Sequence, residues 1–293
     1  MGSLKPEFFI IGAPKSGTSS MWVYLDRHPN VFVCKPKEPN FFSTDLPKMR
    51  TVQTERDYLA LFENADPSAT RMGEASTWYL FSETAVDNIL RFRPDAKLVV
   101  MLRDPADMFF SLHSQFLYNM SESEASPERA WMAQPNEPGR IRNYRAACAL
   151  GSQVERLLSR VPREQIHFVV FEDLKADSVQ QYSEVLRFLD LPSHTIEDAS
   201  AYNARKGHKS RALEHFVRRP PAWVSRSLSG AKRLLGIQSL GLGQRLRAFN
   251  RRGVSTPQRD PKFAAQLRAE FAPEVALLGK LIERDLSHWS TRR

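Results

Sequence analysis

Apolar residues along this chain fall into two patterns. Short unbroken runs occur at residues 7–12 (EFFIIG), 30–35 (NVFVCK), 70–76 (TRMGEAS), 96–102 (AKLVVML) and 165–174 (QIHFVVFEDL). Each has the length of a buried strand. In 96–102, Val99, Val100 and Leu102 lie in one continuous apolar stretch, the pattern of a strand covered on both faces. Between the runs, apolar positions take helical spacing at residues 18–28, 83–93, 105–119 and 178–191. Pro29 closes the first helix, because a residue before proline avoids the α region. Pro105 opens the third at a favoured first position. Residues 261–289 read as a closing helix with a break near Pro273. Strands alternating with helices predict an α/β fold: a single domain over 1–293, with a central parallel β-sheet flanked by helices and right-handed crossovers. Two stretches interrupt the pattern. Residues 119–140 are polar and proline-bearing and predict a surface loop or lid; residues 218–256 mix basic, apolar and glycine positions as a second insertion.

Composition narrows the class. Two cysteines, Cys34 and Cys148, make no disulfide framework. No apolar run approaches the roughly 18 residues that span a bilayer. The N-terminal apolar stretch is only a strand long, and Pro6 stands where a myristoylation signal needs Ser or Thr. A soluble, cytoplasmic protein is the expectation. Net charge is +9, but residues 205–252 hold 13 Lys or Arg against the single acid Glu214, which leaves −3 for the rest. Such a segment points to an anionic ligand, a nucleic acid or an anionic membrane surface.

The chemistry starts where the first run ends. Gly12 and Gly17 keep the glycine spacing of a Walker A loop, G-x-x-x-x-G-K-[ST], and Ser19 falls at its metal-binding hydroxyl. Thr18, however, replaces the lysine, and the one lysine is Lys15 on the crown of the loop. Backbone N–H groups of residues 16–19 are still expected to cradle an anion at a helix N-terminus. The run at 96–102 leads into Arg103, where an ATPase would present an acid for magnesium. Seven histidines show no metal spacing. The pattern is that of a site for a multiply charged anion without a metal.

Residues 12–21 (GAPKSGTSSM), 37–43 (KEPNFFS) and 99–115 (VVMLRDPADMFFSLHSQ) resemble the sulfotransferases that use 3′-phosphoadenosine 5′-phosphosulfate (PAPS), above all the carbohydrate-type branch and its bacterial relatives. The stretches GEASTWYL, IHFVVFEDLKAD, VLRFLDL and LIERDLSHW extend the resemblance in family order. It implies a P-loop NTPase-like sulfotransferase fold and, residue by residue, a set of roles. Lys15, Ser16, Gly17, Thr18 and Ser19 would bind the 5′-phosphosulfate, with Lys15 also steadying the leaving group. Arg103 and Ser111 would grip the 3′-phosphate, with Lys206, Lys209 and Arg211 as a further basic loop over the nucleotide. Glu38 would be the catalytic base, with Lys37, Asn40, Phe41 and Trp78 on the acceptor side. The chain departs from the pattern where relatives carry histidine (Asn40 here), an acid (Ser43) and a lysine (Ala75).

The resemblance thus implies sulfuryl transfer from PAPS, yielding adenosine 3′,5′-bisphosphate (PAP), to a hydroxyl of a carbohydrate, lipid-linked or other small-molecule acceptor, and less readily to an amine. No metal and no nucleic-acid partner are expected; residues 218–252, with arginines interleaved among Trp, Leu and Phe, predict peripheral membrane contact. Two rival readings fit the same residues. One is a P-loop kinase for a small metabolite, and the other a non-catalytic basic module for nucleic acid or membrane.

Overall fold

The computed structural model describes residues 5–135, 141–196, 207–208, 251–252 and 259–291. Its strands are β1 (Phe8–Gly12), β2 (Val31–Val33), β3 (Arg71–Ala75), β4 (Lys97–Leu102), β5 (Ile166–Val170) and the two-residue pair β6 (Gly207–His208) and β7 (Arg251–Arg252). The helices are α1 (Thr18–Asp26), α2 (Glu55–Ala60), α3 (Ala85–Phe92), α4 (Pro105–Tyr118), α5 (Pro127–Met132), α6 (Tyr144–Cys148), α7 (Leu150–Leu158), α8 (Phe171–Ala176), α9 (Ser178–Phe188), α10 (Pro261–Leu281) and α11 (Ser287–Thr291). Strands β1 to β5 form one all-parallel sheet in the order β2-β3-β1-β4-β5.

Side chains alternate across a strand, so each central strand feeds two cores. Phe9, Ile11, Leu98, Val100 and Leu102 pack with α3, α4, α7 and α10 on one face. Phe8, Ile10, Val99 and Met101 pack with α1 and α9 on the other. Covering both faces is why these runs read as continuously apolar, and each buried Ile, Leu or Phe contributes about 1.5–3 kcal/mol.

From β1 the chain travels to the β2 edge, returns through β3, then crosses to β4 and β5. Strand order therefore reverses at β1. The crevice outside the carboxyl ends of β3, β1 and β4 is where an open parallel sheet binds its ligand.

Three expectations change. The last apolar run ends as a strand at Val170, and Phe171–Ala176 is helical. Glu172 and Asp173 occupy that helix's first turn, where acids are favoured by the macrodipole. No break occurs at Pro273: α10 runs through it, and the turn follows Leu281 instead. Proline removes one hydrogen bond, but Phe271, Val275 and Leu278 still form one buried stripe. Gly151 lets α7 approach that point, since a Cβ there would lie 2.5 Å from the Glu274 carbonyl. Ser152 adds two bonds to the Glu274 carboxylate, from its N–H at 2.8 Å and its hydroxyl at 2.6 Å. Finally, the described part of the 119–140 stretch is not only surface loop. Ser126 caps α5 by accepting from the Arg129 N–H, and Trp131 is fully buried against Phe109 and Phe271.

Candidate active site

Each strand of the sheet delivers a polar or aromatic group at its carboxyl end. The loop after β1 carries Lys15, the one after β2 carries Lys37 and Glu38, and the turn after β3 carries Thr77. Arg103 follows β4 directly, and Phe171 follows β5.

The first loop is built around a left-handed turn. Lys15 (φ 64°) and Gly17 (φ 87°) both take positive φ. The positive φ at Gly17 favours glycine there, and a Cβ would also press on a Leu174 methyl at 2.7 Å. Gly17 is the N-cap of α1 and receives no side-chain cap. The Ser20 N–H turns back to the Gly17 carbonyl at 2.9 Å, and the N–H groups before it have no carbonyl a full helical turn back to accept them, the arrangement that lets a helix N-terminus bind an anion. Ser16 is buried, with its hydroxyl turned back to the Pro14 carbonyl at 3.4 Å.

Lys15 Nζ donates to Gln115 Oε1 on α4 at 3.2 Å. Arg103 Nη1 donates to the Lys15 carbonyl at 2.9 Å, and its guanidinium stacks on Phe171 with 4.6 Å to the ring centroid. The other Arg103 terminal nitrogen lies 3.9 Å from Asp107, which also pairs with Arg259 and with Arg268. Asp104 accepts from the N–H groups of Ala106 and Asp107 at 2.8 and 3.2 Å, fixing the start of α4 and hence the strand end that aims Arg103. Burial lowers the Lys15 pKa, and the positive charge of Arg103 lowers it further, with Glu38 offsetting part. Burial also lowers that of Arg103, against the opposing pull of Asp107. Two desolvated cations thus share one wall, and an anion bound between them would relieve both.

Across the crevice, Lys37 Nζ reaches three groups. It lies 3.4 Å from Thr18 Oγ1, 3.4 Å from Ser19 Oγ and 3.2 Å from Glu38 Oε1. Glu38 (φ 66°) and Asn40 (φ 50°) also hold left-handed conformations that non-glycine residues seldom adopt, and such outliers gather at functional sites. The loop is held on the β3 side. The Glu38 N–H donates to the Ala75 carbonyl at 3.0 Å, the Asn40 N–H to Ser76 Oγ at 3.0 Å, and the Phe42 N–H to the Tyr79 hydroxyl at 3.3 Å. The Glu38 side chain keeps 38% of its surface exposed.

Lys15, Lys37, Glu38, Thr18, Ser19 and Arg103 therefore converge. Other residues expected here stand differently. Asn40 is 2% exposed and points inward, donating to the Glu38 and Met49 carbonyls at 2.9 and 3.3 Å, so it braces the loop instead of facing an acceptor. Ser43 supports the same turn through the Asn40 carbonyl at 3.0 Å. Trp78, 5% exposed, is packed against Phe81 and Phe116 as core. Phe41 is half-buried, stacked on Tyr58, with the Arg50 guanidinium 5.5 Å from its ring centroid. Ser111 is half-buried on α4, one turn before Gln115, and no hydrogen bond joins it to Arg103. Lys206, Lys209, Arg211 and nearly all of 218–252 lie outside the described residues. Thr77, Gln115 and Phe171 were not anticipated from sequence; only Gln115, four residues after Ser111, carried a positional hint.

A sequence model described as the sulfotransferase family matches residues 6–195, which contain all five strand ends. The chain belongs to that family, whose reaction is sulfuryl transfer. The fold agrees over its length with a sulfotransferase from Alicyclobacillus acidocaldarius, at TM-score 0.74 and 28% identity, covering 99% of each chain. Among curated relatives, human bifunctional heparan sulfate N-deacetylase/N-sulfotransferase 3 is 25% identical over 218 residues, 71% of this chain and 25% of that protein. Mouse carbohydrate sulfotransferase 15 is 29% identical over 164 residues, 42% of this chain and 29% of that protein. The chain spans about a quarter of the length of the curated relatives it matches. Among the described residues, no helix is long and apolar enough to cross a membrane.

Proposed function

We propose that this sulfotransferase moves the sulfuryl group of PAPS to a hydroxyl of a carbohydrate or other small-molecule acceptor. The observation that carries the reading is the opposition of two walls. Lys15 and Arg103 form a cationic wall whose charges are both disfavoured by burial, and Lys37 joins its loop to the Glu38 carboxylate on the other side. Family membership supports sulfuryl transfer, the likeness to carbohydrate sulfotransferase 15 supports a carbohydrate acceptor, and the likeness to the heparan sulfate N-sulfotransferase makes an amine the second acceptor class.

Sulfuryl transfer, like phosphoryl transfer, proceeds through a loose in-line displacement that needs position and charge stabilisation above all. The acceptor oxygen forms a bond to sulfur as the bond from sulfur to the bridging oxygen breaks. Glu38 takes the acceptor proton, since a free alkoxide is inaccessible near neutral pH. Lys15 stabilises the charge that develops on the bridging oxygen. The N–H groups at the start of α1 hold the 5′-phosphate, while Arg103 and Ser111 read the 3′-phosphate. The product nucleotide is PAP. Residues 205–252 would bring the enzyme to an anionic or lipid-linked acceptor, which vesicle binding at low and high salt can check.

Thermal unfolding with PAP, compared with AMP and with ATP–magnesium, tests the donor. A ligand at about 100 times its Kd stabilises by roughly 2.7 kcal/mol, equivalent to about 4 °C for a chain of this size. A shift with PAP and little with AMP is expected. A shift with ATP–magnesium alone would replace this reading with a kinase.

A further inference from the structure

We infer that Thr77 is the positioning residue of the base: its hydroxyl fixes the Glu38 carboxylate so that one oxygen is restrained and the other is presented to the acceptor. The inference rests on the proposed role of Glu38, and it adds the Thr77 contact, which that role did not use. Thr77 Oγ1 donates to Glu38 Oε1 at 3.1 Å, and Lys37 Nζ approaches the same oxygen at 3.2 Å. Among the described residues, no hydrogen bond reaches Oε2. The two oxygens are thus chemically distinct. Oε1 is held by a neutral and a cationic donor, while Oε2 keeps its lone pairs for a proton.

Thr77 is itself firmly set. It is buried in the turn that continues β3, where the Ser76 N–H donates to the Ile10 carbonyl at 3.1 Å and the Leu80 N–H to the Ile11 carbonyl at 2.8 Å. Its carbonyl oxygen lies against Gly12: a Cβ added there would fall 3.1 Å from Thr77 O and 2.8 Å from the Leu80 Cβ. The backbone of Thr77 is therefore clamped to the strand that starts the anion loop, while its side chain holds the base. Glu38, by contrast, sits on a loop with positive φ and keeps much of its side chain in solvent. A carboxylate on such a stem has rotamer freedom unless a neighbour removes it. Thr77 supplies that restraint from a rigid element, and it registers the acceptor side against the donor side.

The test compares wild type, Thr77→Val, Thr77→Ser and Glu38→Gln. Turnover is measured with PAPS and a panel of desulfated heparan oligosaccharide, desulfated chondroitin oligosaccharide and p-nitrophenol. Crystal structures with PAP are determined for the wild type and both Thr77 variants. Thr77→Val keeps the branch and removes the donor, so kcat is expected to fall about 10- to 100-fold with the KM for PAPS unchanged within about twofold. Thr77→Ser should restore most of kcat. In the crystals, Glu38 should keep one orientation in wild type and Thr77→Ser and lose it in Thr77→Val. A Thr77→Val enzyme with wild-type kcat, or with Glu38 unmoved, overturns the inference. So does a Thr77→Ser enzyme as impaired as Thr77→Val, which would assign the effect to methyl packing. Failure of the functional reading looks different: Glu38→Gln would stay active, or no protein would bind PAP. If no panel member is turned over, the crystal comparison alone decides the role of Thr77.

Discussion

The two walls of the crevice are built on different principles. On the β1–β4 side, Lys15 and Arg103 are pressed together by burial, and the acids near them, Asp104 and Asp107, are shared with Arg259 and Arg268. On the β2–β3 side, Glu38 already has two donors, and its loop is pinned to β3 by three backbone N–H bonds. One wall is completed by its ligand; the other is finished before any ligand arrives. The difference matches the chemistry. A donor of fixed, high charge can be gripped by desolvated cations, whereas a base must be aimed before the acceptor enters.

The sharpest way to break the comparison is to disable each wall alone. Glu38→Gln keeps the shape and removes the base, so kcat should drop by about 10²- to 10⁴-fold while PAP affinity, measured by calorimetry, stays within about twofold. A parallel loss of PAP affinity would mean that the walls are not independent. Arg103→Ala should do the reverse. Charge-assisted hydrogen bonds contribute roughly 1.5–3 kcal/mol, so PAP binding should weaken about 10- to 100-fold while AMP binding changes little. Equal losses for PAP and AMP would place Arg103 on the shared 5′ end of the nucleotide and not on the 3′-phosphate.

The donor wall was the more legible in sequence. Arg103 follows an apolar run directly and Lys15 lies three residues beyond one, so a strand assignment alone puts them at the carboxyl edge of the sheet. Glu38 was legible through the KEPNFF stretch. Thr77 was not, because its partnership with Glu38 depends on β3 lying beside β2, and hydrophobic periodicity carries no strand order. Asn40 and Trp78 show the opposite limit: the resemblance implied contact with an acceptor, but a left-handed turn folds Asn40 inward and ring packing buries Trp78. The fold followed the same rule. Runs buried on both faces announced their strands, whereas the helix at 171–176 follows β5 with no break between them, and Trp131 was buried from a stretch whose neighbours are polar.

A last, smaller effect sharpens the contrast through Glu74, which lies on β3 beneath the finished wall. It is fully buried among Tyr58, Tyr79 and Ser76, and neither carboxylate oxygen has a hydrogen bond of normal geometry. Burial raises its pKa from 4.5 to about 8, with nearby hydroxyls offsetting only part, so the native fold holds it protonated near neutral pH. The sign follows from linkage. The folded state binds this proton more tightly than the unfolded chain, so its stabilising contribution is complete below about pH 4.5 and is lost as pH rises toward 8. Between pH 6 and 8 the loss amounts to about 2 kcal/mol. Urea unfolding across that range should show it, and Glu74→Gln, which cannot ionise, should flatten the slope. The adjoining residues Ala75 and Ser76 accept the N–H groups of Glu38 and Asn40, so alkaline strain in β3 reaches the base loop first. Amide exchange at Glu38 and Asn40 should therefore accelerate above pH 8 in wild type more than in Glu74→Gln, with the first turn of α1 unaffected. Equal acceleration in both walls would show that Glu74 burdens the whole sheet and not the acceptor side alone.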